Sequence, residues 1–260
     1  MTSLSFERKI IKKIQKVVGP SSKKDPIALH EPSFHKTNAI KYLKDCIDTG
    51  WVSSAGGYVN KFESAICDFT QAKFCVCLVN GTVSIRLALH LLGVKPGDEV
   101  LLPAISFVAT ANAISHLGAI PHFIDIENKN IGLDPNALEI RLKKIAKREG
   151  NNLINKETGR RISAIIAVHV FGLPAEIKKI KNISLNWNLP LVEDCAEALG
   201  SWRSGLHCGL TGDVGTLSFN GNKILTTGGG GAIITSDKTI AERAKHLSTT
   251  AKIQHPWEYN

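Results

Sequence analysis

Phe74-Cys-Val-Cys-Leu-Val79-Asn80-Gly81-Thr82-Val-Ser84 opens as an apolar run and turns at Asn-Gly-Thr. It then takes up helical spacing that continues to Leu92 and stops at Gly93. A short apolar run bounded by turn residues predicts a buried strand, and the 3.6-residue spacing after it predicts a helix. Pro96-Gly97-Asp98 then turns the chain into a second apolar run, Glu99–Leu102. Strand, helix and strand in this order, with nearly continuous apolar strands, predict a parallel sheet covered on both faces.

The same alternation extends in both directions. Upstream lie a helix over 34–48, spaced by Ala39, Tyr42, Leu43, Cys46 and Ile47 and stopped at Gly50, and a second over Lys61–Thr70. Downstream follow helix 106–117, strand Ile120–Ile124 and a helix starting at Asp134-Pro135, where a capping residue precedes a first-turn proline. That helix is predicted to reach Arg148, and Gly150–Arg161 reads as an exposed polar loop. Strand Ser163–Val168, helix Pro174–Trp187 and strand Leu189–Val192 restore the pattern. Strands Asp213–Phe219 and Ala232–Thr235 and a helix from Asp237 to Leu247 complete it. The fold class expected is α/β, a three-layer αβα domain around a mostly parallel mixed sheet.

The totals fit one large domain. The chain has 260 residues, 43% of them hydrophobic, enough for a sizeable core. It contains no apolar run long enough to span a bilayer and no signal-peptide pattern, so membrane insertion is not expected and a cytoplasmic location is. The six cysteines lack metal-ligand spacing and read as reduced structural thiols; no metal site is expected. Within the basic N-terminal segment, residues 1–25, much of the net charge of +9 sits in the first 24 residues, where Arg8, Lys9, Lys12, Lys13, Lys16, Lys23 and Lys24 face one acid, Glu7. This basic segment reads as a solvated helix packing Leu4, Ile11, Ile14 and Val18 on its own domain or on a partner, ahead of a domain over 26–260. Nucleic acid is not expected as a partner, because no aromatic interleaving or nucleic-acid module accompanies the charge.

Chemistry gathers where strands end, which is where open α/β sheets bind ligands. Gly81 and Thr82 lie between a strand and a helix N-terminus, whose free N–H groups and dipole favour an anion such as phosphate. The GxGxxG and GxxxxGK[ST] patterns are both absent. Glu193-Asp194 follows Leu189–Val192; a carboxylate there caps a helix over Cys195–Leu199 or binds a cation. Phe107 follows another strand end and is either a core aromatic or a cover for a flat ring. His169, alone, reads as a satisfied core histidine. Ser218-Phe-Asn-Gly-Asn-Lys223 and the glycines 228–231 place a hydroxyl and an amine in a tight loop, where desolvation turns a lysine into a nucleophile toward carbonyls. A nucleophilic amine, an anion cradle, a carboxylate for a ring cation and a stacking aromatic together match pyridoxal 5'-phosphate.

Gly81-Thr82, Pro96-Gly-Asp-Glu-Val100, Val168-His-Val-Phe-Gly172, Glu193-Asp-Cys-Ala-Glu197-Ala-Leu-Gly200 and Ser218–Lys223 also resemble the DegT/DnrJ/EryC1/StrS family of nucleotide-sugar aminotransferases. The resemblance implies the fold type I architecture of pyridoxal-phosphate enzymes. It implies that Lys223 forms the Schiff base and shuttles protons, that Asp194 pairs with the pyridine nitrogen, and that Phe107 stacks on the ring. It implies that Gly81, Thr82 and Ser218 hold the phosphate. Glu197 stands where many members carry glutamine near the ring hydroxyl. A lysine at 223 distinguishes the chain from related sugar dehydratases, which carry histidine there; other fold type I reactions and a purely binding role are the rival readings. His30-Glu-Pro32, Asp48-Thr-Gly-Trp-Val-Ser-Ser54 and Lys156-Glu-Thr-Gly-Arg-Arg161 are most similar to the LegC/PglE-like group. That likeness implies a UDP-linked 4-keto-6-deoxy-N-acetylhexosamine and glutamate as substrates, and a homodimer. The resemblance also implies a small C-terminal domain, expected to be missing or truncated here.

Overall fold

The computed structural model describes residues 3–19, 22, 31–54 and 56–251. The chain divides into two compact units, Met1–Ser33 and Phe34–Asn260. In the first, α1 (Ser3–Val18) carries a polar face of Arg8, Lys9, Lys12, Lys13 and Lys16. Within that unit the side chains of Ile11 and Ile14 are exposed. The side chains of Leu4 and Val18 lie outside the described residues.

The second unit begins with α2 (Ala39–Thr49), α3 (Gly57–Thr70), β1 (Phe74–Leu78) and α4 (Gly81–Leu91). Next come β2 (Glu99–Pro103), α5 (Val108–Ser115), β3 (Ile120–Ile124), α6 (Pro135–Ile145), β4 (Ala146–Glu149), β5 (Asn152–Asn155) and β6 (Arg161–Val168). A single 3-10 turn precedes α7 (Ile177–Trp187) and β7 (Leu191–Asp194). A short hairpin of β8 (Trp202–Arg203) and β9 (Leu206–His207), then β10 (Val214–Ser218), β11 (Gly231–Thr235) and α8 (Lys238–Ser248), complete it.

The main sheet runs β1-β11-β10-β7-β6-β2-β3. Along this path β11 is antiparallel to both neighbours, whereas β10, β7, β6, β2 and β3 pair in parallel. One face packs Val100, Ile114, Ile166, Val192 and Ile233 under α4, α5 and α8. The other packs Leu101, Leu138, Ile165, Ile180 and Leu191 under α6 and α7, with Ile66 of α3 joining Leu217 and Ile234 nearer β1. Every residue of β2, β7 and β11 is buried, which accounts for their mostly apolar character, with Glu99, Glu193 and Asp194 as buried exceptions. The three-layer expectation therefore stands.

Two expectations give way. The helix expected to reach Arg148 stops at Ile145, and the stretch expected as an open loop contains β5, paired to β4 on one side and β6 on the other. Ala-Lys-Arg-Glu favours helix locally, but the turn at Gly150, with φ of +59°, folds it back into a ribbon on the sheet. Pairing to an existing strand overrides local propensity.

At the N-terminal end of the strands, Glu99 is buried and accepts hydrogen bonds from Thr158 Oγ1 (2.5 Å), Asn155 Nδ2 and His122 Nδ1 (2.8 Å each). Arg141 Nε in turn donates to His122 Nε2, which fixes the neutral Nδ1–H tautomer. Burial pushes the Glu99 carboxyl up, but the donations from Thr158, Asn155 and His122 outweigh it and hold it below the usual range. A depressed folded value gives stability that is complete above about pH 4.3 and is lost as pH falls through the lower folded value. Glu99→Gln is therefore expected to lose about 1–3 kcal/mol at pH 7 and to show a shallower acid limb between pH 5 and 3 in urea titrations.

Candidate active site

The register of the sheet brings the strand-end residues to one place. Val168, Asp194 and Thr216 lie side by side across β6, β7 and β10. One row further on, Ser218, Gly231 and Leu78 align across β10, β11 and β1. Because β11 runs backward, its first residues and the glycines before it reach the same end as the carboxyl termini of the parallel strands.

At the outer row, Asn80 caps α4 by accepting from the Val83 N–H at 2.8 Å. The N–H groups of Gly81 and Thr82 have no acceptor among the described residues, and the hydroxyls of Thr82 and Ser218 have no partner there. A Cβ on Gly81 would meet Ser218 Cβ at 2.8 Å, so only glycine lets the helix start sit against Ser218. Unpaired N–H groups at a helix N-terminus beside two hydroxyls fit a phosphate.

At the inner row, Lys223 Nζ lies 3.1 Å from Glu197 Oε1 and 5.7 Å from the centroid of the Phe107 ring. The lysine side chain is only 12% exposed, so the amine is sheltered as expected, but it is ion-paired rather than isolated. Glu197 Oε2 accepts from the N–H of Phe171, a residue held at φ of +52°. Phe107 is 71% exposed. This rules out the core-aromatic alternative and leaves a bare ring face at the start of α5.

Asp194 is buried. Its Oδ2 accepts from Thr110 Oγ1 at 2.7 Å and its Oδ1 from the Ala196 N–H at 3.1 Å. Burial raises its pKa, against the lowering influence of those two donors and of Lys223. No helix follows at 195–199, so the capping alternative reduces to this one turn contact. The neighbouring Glu193 points to the opposite face and is saturated. It accepts from His169 Nε2 (2.9 Å) and from the N–H groups of Gly209 (2.9 Å), Thr211 (2.7 Å) and Gly212 (2.5 Å). Burial opposes its charge, but His169 and the backbone donors hold the carboxyl below its usual range. The Ala175 N–H donates to His169 Nδ1, so the imidazole is the neutral Nε2–H tautomer and a fully bonded core histidine.

His169, Glu193 and Cys195 form the cluster closest to a metal-ligand arrangement among the described residues. Its histidine and carboxylate are already fully hydrogen-bonded, and burial pushes the Cys195 thiol up to about 12. All six cysteines are free thiols. No helix among the described residues is long and apolar enough to cross a membrane.

A family model, the DegT/DnrJ/EryC1/StrS aminotransferase family, matches residues 34–258. The chain belongs to this aminotransferase family. It is 38% identical over 221 residues to GDP-perosamine synthase of Vibrio cholerae, a match covering 85% of this chain and 56% of that one. It is 37% identical to the putative pyridoxal phosphate-dependent aminotransferase EpsN of Bacillus subtilis, over 81% of this chain and 52% of the relative. Among solved structures it superposes on the aminotransferase TlmJ from Streptoalloteichus hindustanus with a TM-score of 0.76 and 32% identity, covering 89% of this chain and 59% of that one. The chain thus spans about half the length of the curated relatives it matches. For this member of the family, fold type I and pyridoxal phosphate as cofactor both stand. The phosphate cradle, the buried carboxylate, the bare ring and the sheltered amine all fit that cofactor.

Two residues escaped the sequence reading. Ser106 donates to Thr110 Oγ1 at 2.6 Å, and Thr110 donates to Asp194. The available signal was two hydroxyls four apart at a helix start just beyond a strand end. Gly81→Ala is expected to force apart the start of α4 and Ser218, lowering stability by about 1–3 kcal/mol in denaturant titrations.

Proposed function

We propose that the chain forms the cofactor-binding part of an aminotransferase that moves an amino group from glutamate to a nucleotide-linked keto sugar. The observation that carries this reading is Lys223: a sheltered amine held between the Glu197 carboxylate and the open face of Phe107, beside buried Asp194.

Bound pyridoxal phosphate supplies an electron sink for the carbanion that forms when a proton leaves the carbon bearing the amino group. The chain's residues supply the rest. Gly81 and Thr82 N–H with the Thr82 and Ser218 hydroxyls would anchor the phosphate, and Phe107 would cover one ring face. Asp194 would accept from the protonated pyridine nitrogen and hold its charge in place. Lys223 Nζ would be the nucleophile that fixes the cofactor and, when free, the base that takes and returns the proton. Glu197 orients that amine through Oε1.

The finer substrate reading is a UDP-linked 4-keto-6-deoxy-N-acetylhexosamine. It is supported by the stretches Asp48–Ser54 and Lys156–Arg161, and by His30-Glu-Pro32, of which His30 lies outside the described residues. Lys156–Arg161 sits with the Glu99 network at the end of the strands away from Lys223, so its support is that of sequence likeness. A second reading, a GDP-linked keto sugar, is favoured by the 38% identity to GDP-perosamine synthase. We place the reaction in the cytoplasm, consistent with six free thiols. We take a second copy of the chain as the partner, consistent with the exposed Phe107, Phe171 and Ile224 around the site.

Incubation with pyridoxal phosphate followed by borohydride is expected to leave the cofactor covalently on Lys223, mapped by peptide mass spectrometry, and Lys223→Ala is expected to retain none. An unlabelled, folded wild-type chain would overturn the assignment. Product formation from UDP- and GDP-linked keto sugars, each with glutamate and glutamine as donors, then separates the substrate readings.

A further inference from the structure

We propose that Thr110, backed by Ser106, is a positioning residue that keeps Asp194 ionised and aimed at the pyridine nitrogen of the bound cofactor. The inference rests on the reading of Asp194 given above and extends it to the residue that bonds that carboxylate from α5.

Asp194 is the most expensive charge in the site: it is buried, and burial raises its pKa. Only two hydrogen bonds offset that burial directly. The one from Ala196 N–H is a local turn contact, formed by the chain's own course two residues on. The one from Thr110 Oγ1 comes from a different element, α5, at 2.7 Å. Thr110 is 1% exposed, so water does not replace its hydroxyl if the contact is lost. Its oxygen already accepts from Ser106 Oγ at 2.6 Å, which leaves its single proton for Asp194 and polarises that bond. Ser106 has the Phe107 carbonyl as a second acceptor at 3.0 Å, but the shorter contact runs to Thr110, which in turn donates to the carboxylate. Thr110 also lies in the first turn of α5, whose N-terminal dipole favours an anion nearby.

The same turn carries Phe107 at the helix cap, three residues before Thr110. One short helix therefore sets both the ring face and the anion that must meet the same flat cofactor. A neutral Asp194 would offer its proton instead of a lone pair to the nitrogen, and the ring would lose its electron-accepting power. The hydroxyl pair biases the carboxylate against that state.

The test uses the full chain loaded with 15N-pyridine-labelled pyridoxal phosphate, because the nitrogen-15 resonance reports protonation of the ring nitrogen without turnover. Asp194→Asn sets the reference for a nitrogen that has lost its partner. Thr110→Val, which keeps shape and removes the hydroxyl, is expected to move the resonance toward that reference and to weaken cofactor binding about tenfold. Thr110→Ser is expected to restore the wild-type resonance, and Ser106→Ala to give a smaller displacement in the same direction. A Thr110→Val resonance at the wild-type position, with Asp194→Asn displaced, would overturn the role of Thr110 and leave that of Asp194 intact. A wild-type resonance in Asp194→Asn would overturn both. If Thr110→Val does not fold, Ser106→Ala decides: an undisplaced resonance there defeats the relay.

Discussion

Glu193 and Asp194 are adjacent on one buried strand, and everything near the site follows from how their two charges are kept. A carboxylate in a protein interior persists only when its oxygens are bonded. Side chains alternate across a strand, so the pair points to opposite faces of the sheet. Glu193 is satisfied by His169 and three backbone N–H groups, which pins the loop at 209–212 against β7. Asp194 has one lateral partner and one local one, and retains acceptor capacity. One acid builds the wall, and the other is left available in front of it.

The reversed strand β11 supplies the second constraint. It lets β10 end at Ser218, the chain loop out through Lys223, and the return leg start at Gly231 without leaving the same end of the sheet. The close approach of that return leg to the start of α4 is steric: a Cβ on Gly231 would fall 2.5 Å from the backbone of Asn80. The anion cradle and the lysine loop are thus tied to each other through backbone contact.

The period of the hydrophobic pattern made the central strands and most helices legible, because strands buried on both faces leave unbroken apolar runs. The gathering of Gly81, Asp194 and Lys223 at one end of the sheet was legible as well, because each sits at a strand end beside turn residues. The β4–β5 ribbon was not, since Ala-Lys-Arg-Glu prefers a helix until a neighbouring strand offers its edge. The direction of β11 was not, because an apolar run reads alike either way. The partners of Glu193 are mostly backbone N–H groups, which no residue type announces, and the Ser106–Thr110 relay depends on a helix laid over a strand distant in sequence.

The ribbon at 146–155 turns at Gly150, which is exposed and has nothing within 4 Å of where a Cβ would stand. The ribbon pairs with the first residues of β6 and bonds the end of α7 through Arg148, at the opposite end of the strands from Lys223. That tip is a natural attachment point for a fluorophore, an affinity handle or an inserted domain, since added mass there projects away from the chemistry. The molecule thus has a side by which it can be held while the opposite side works.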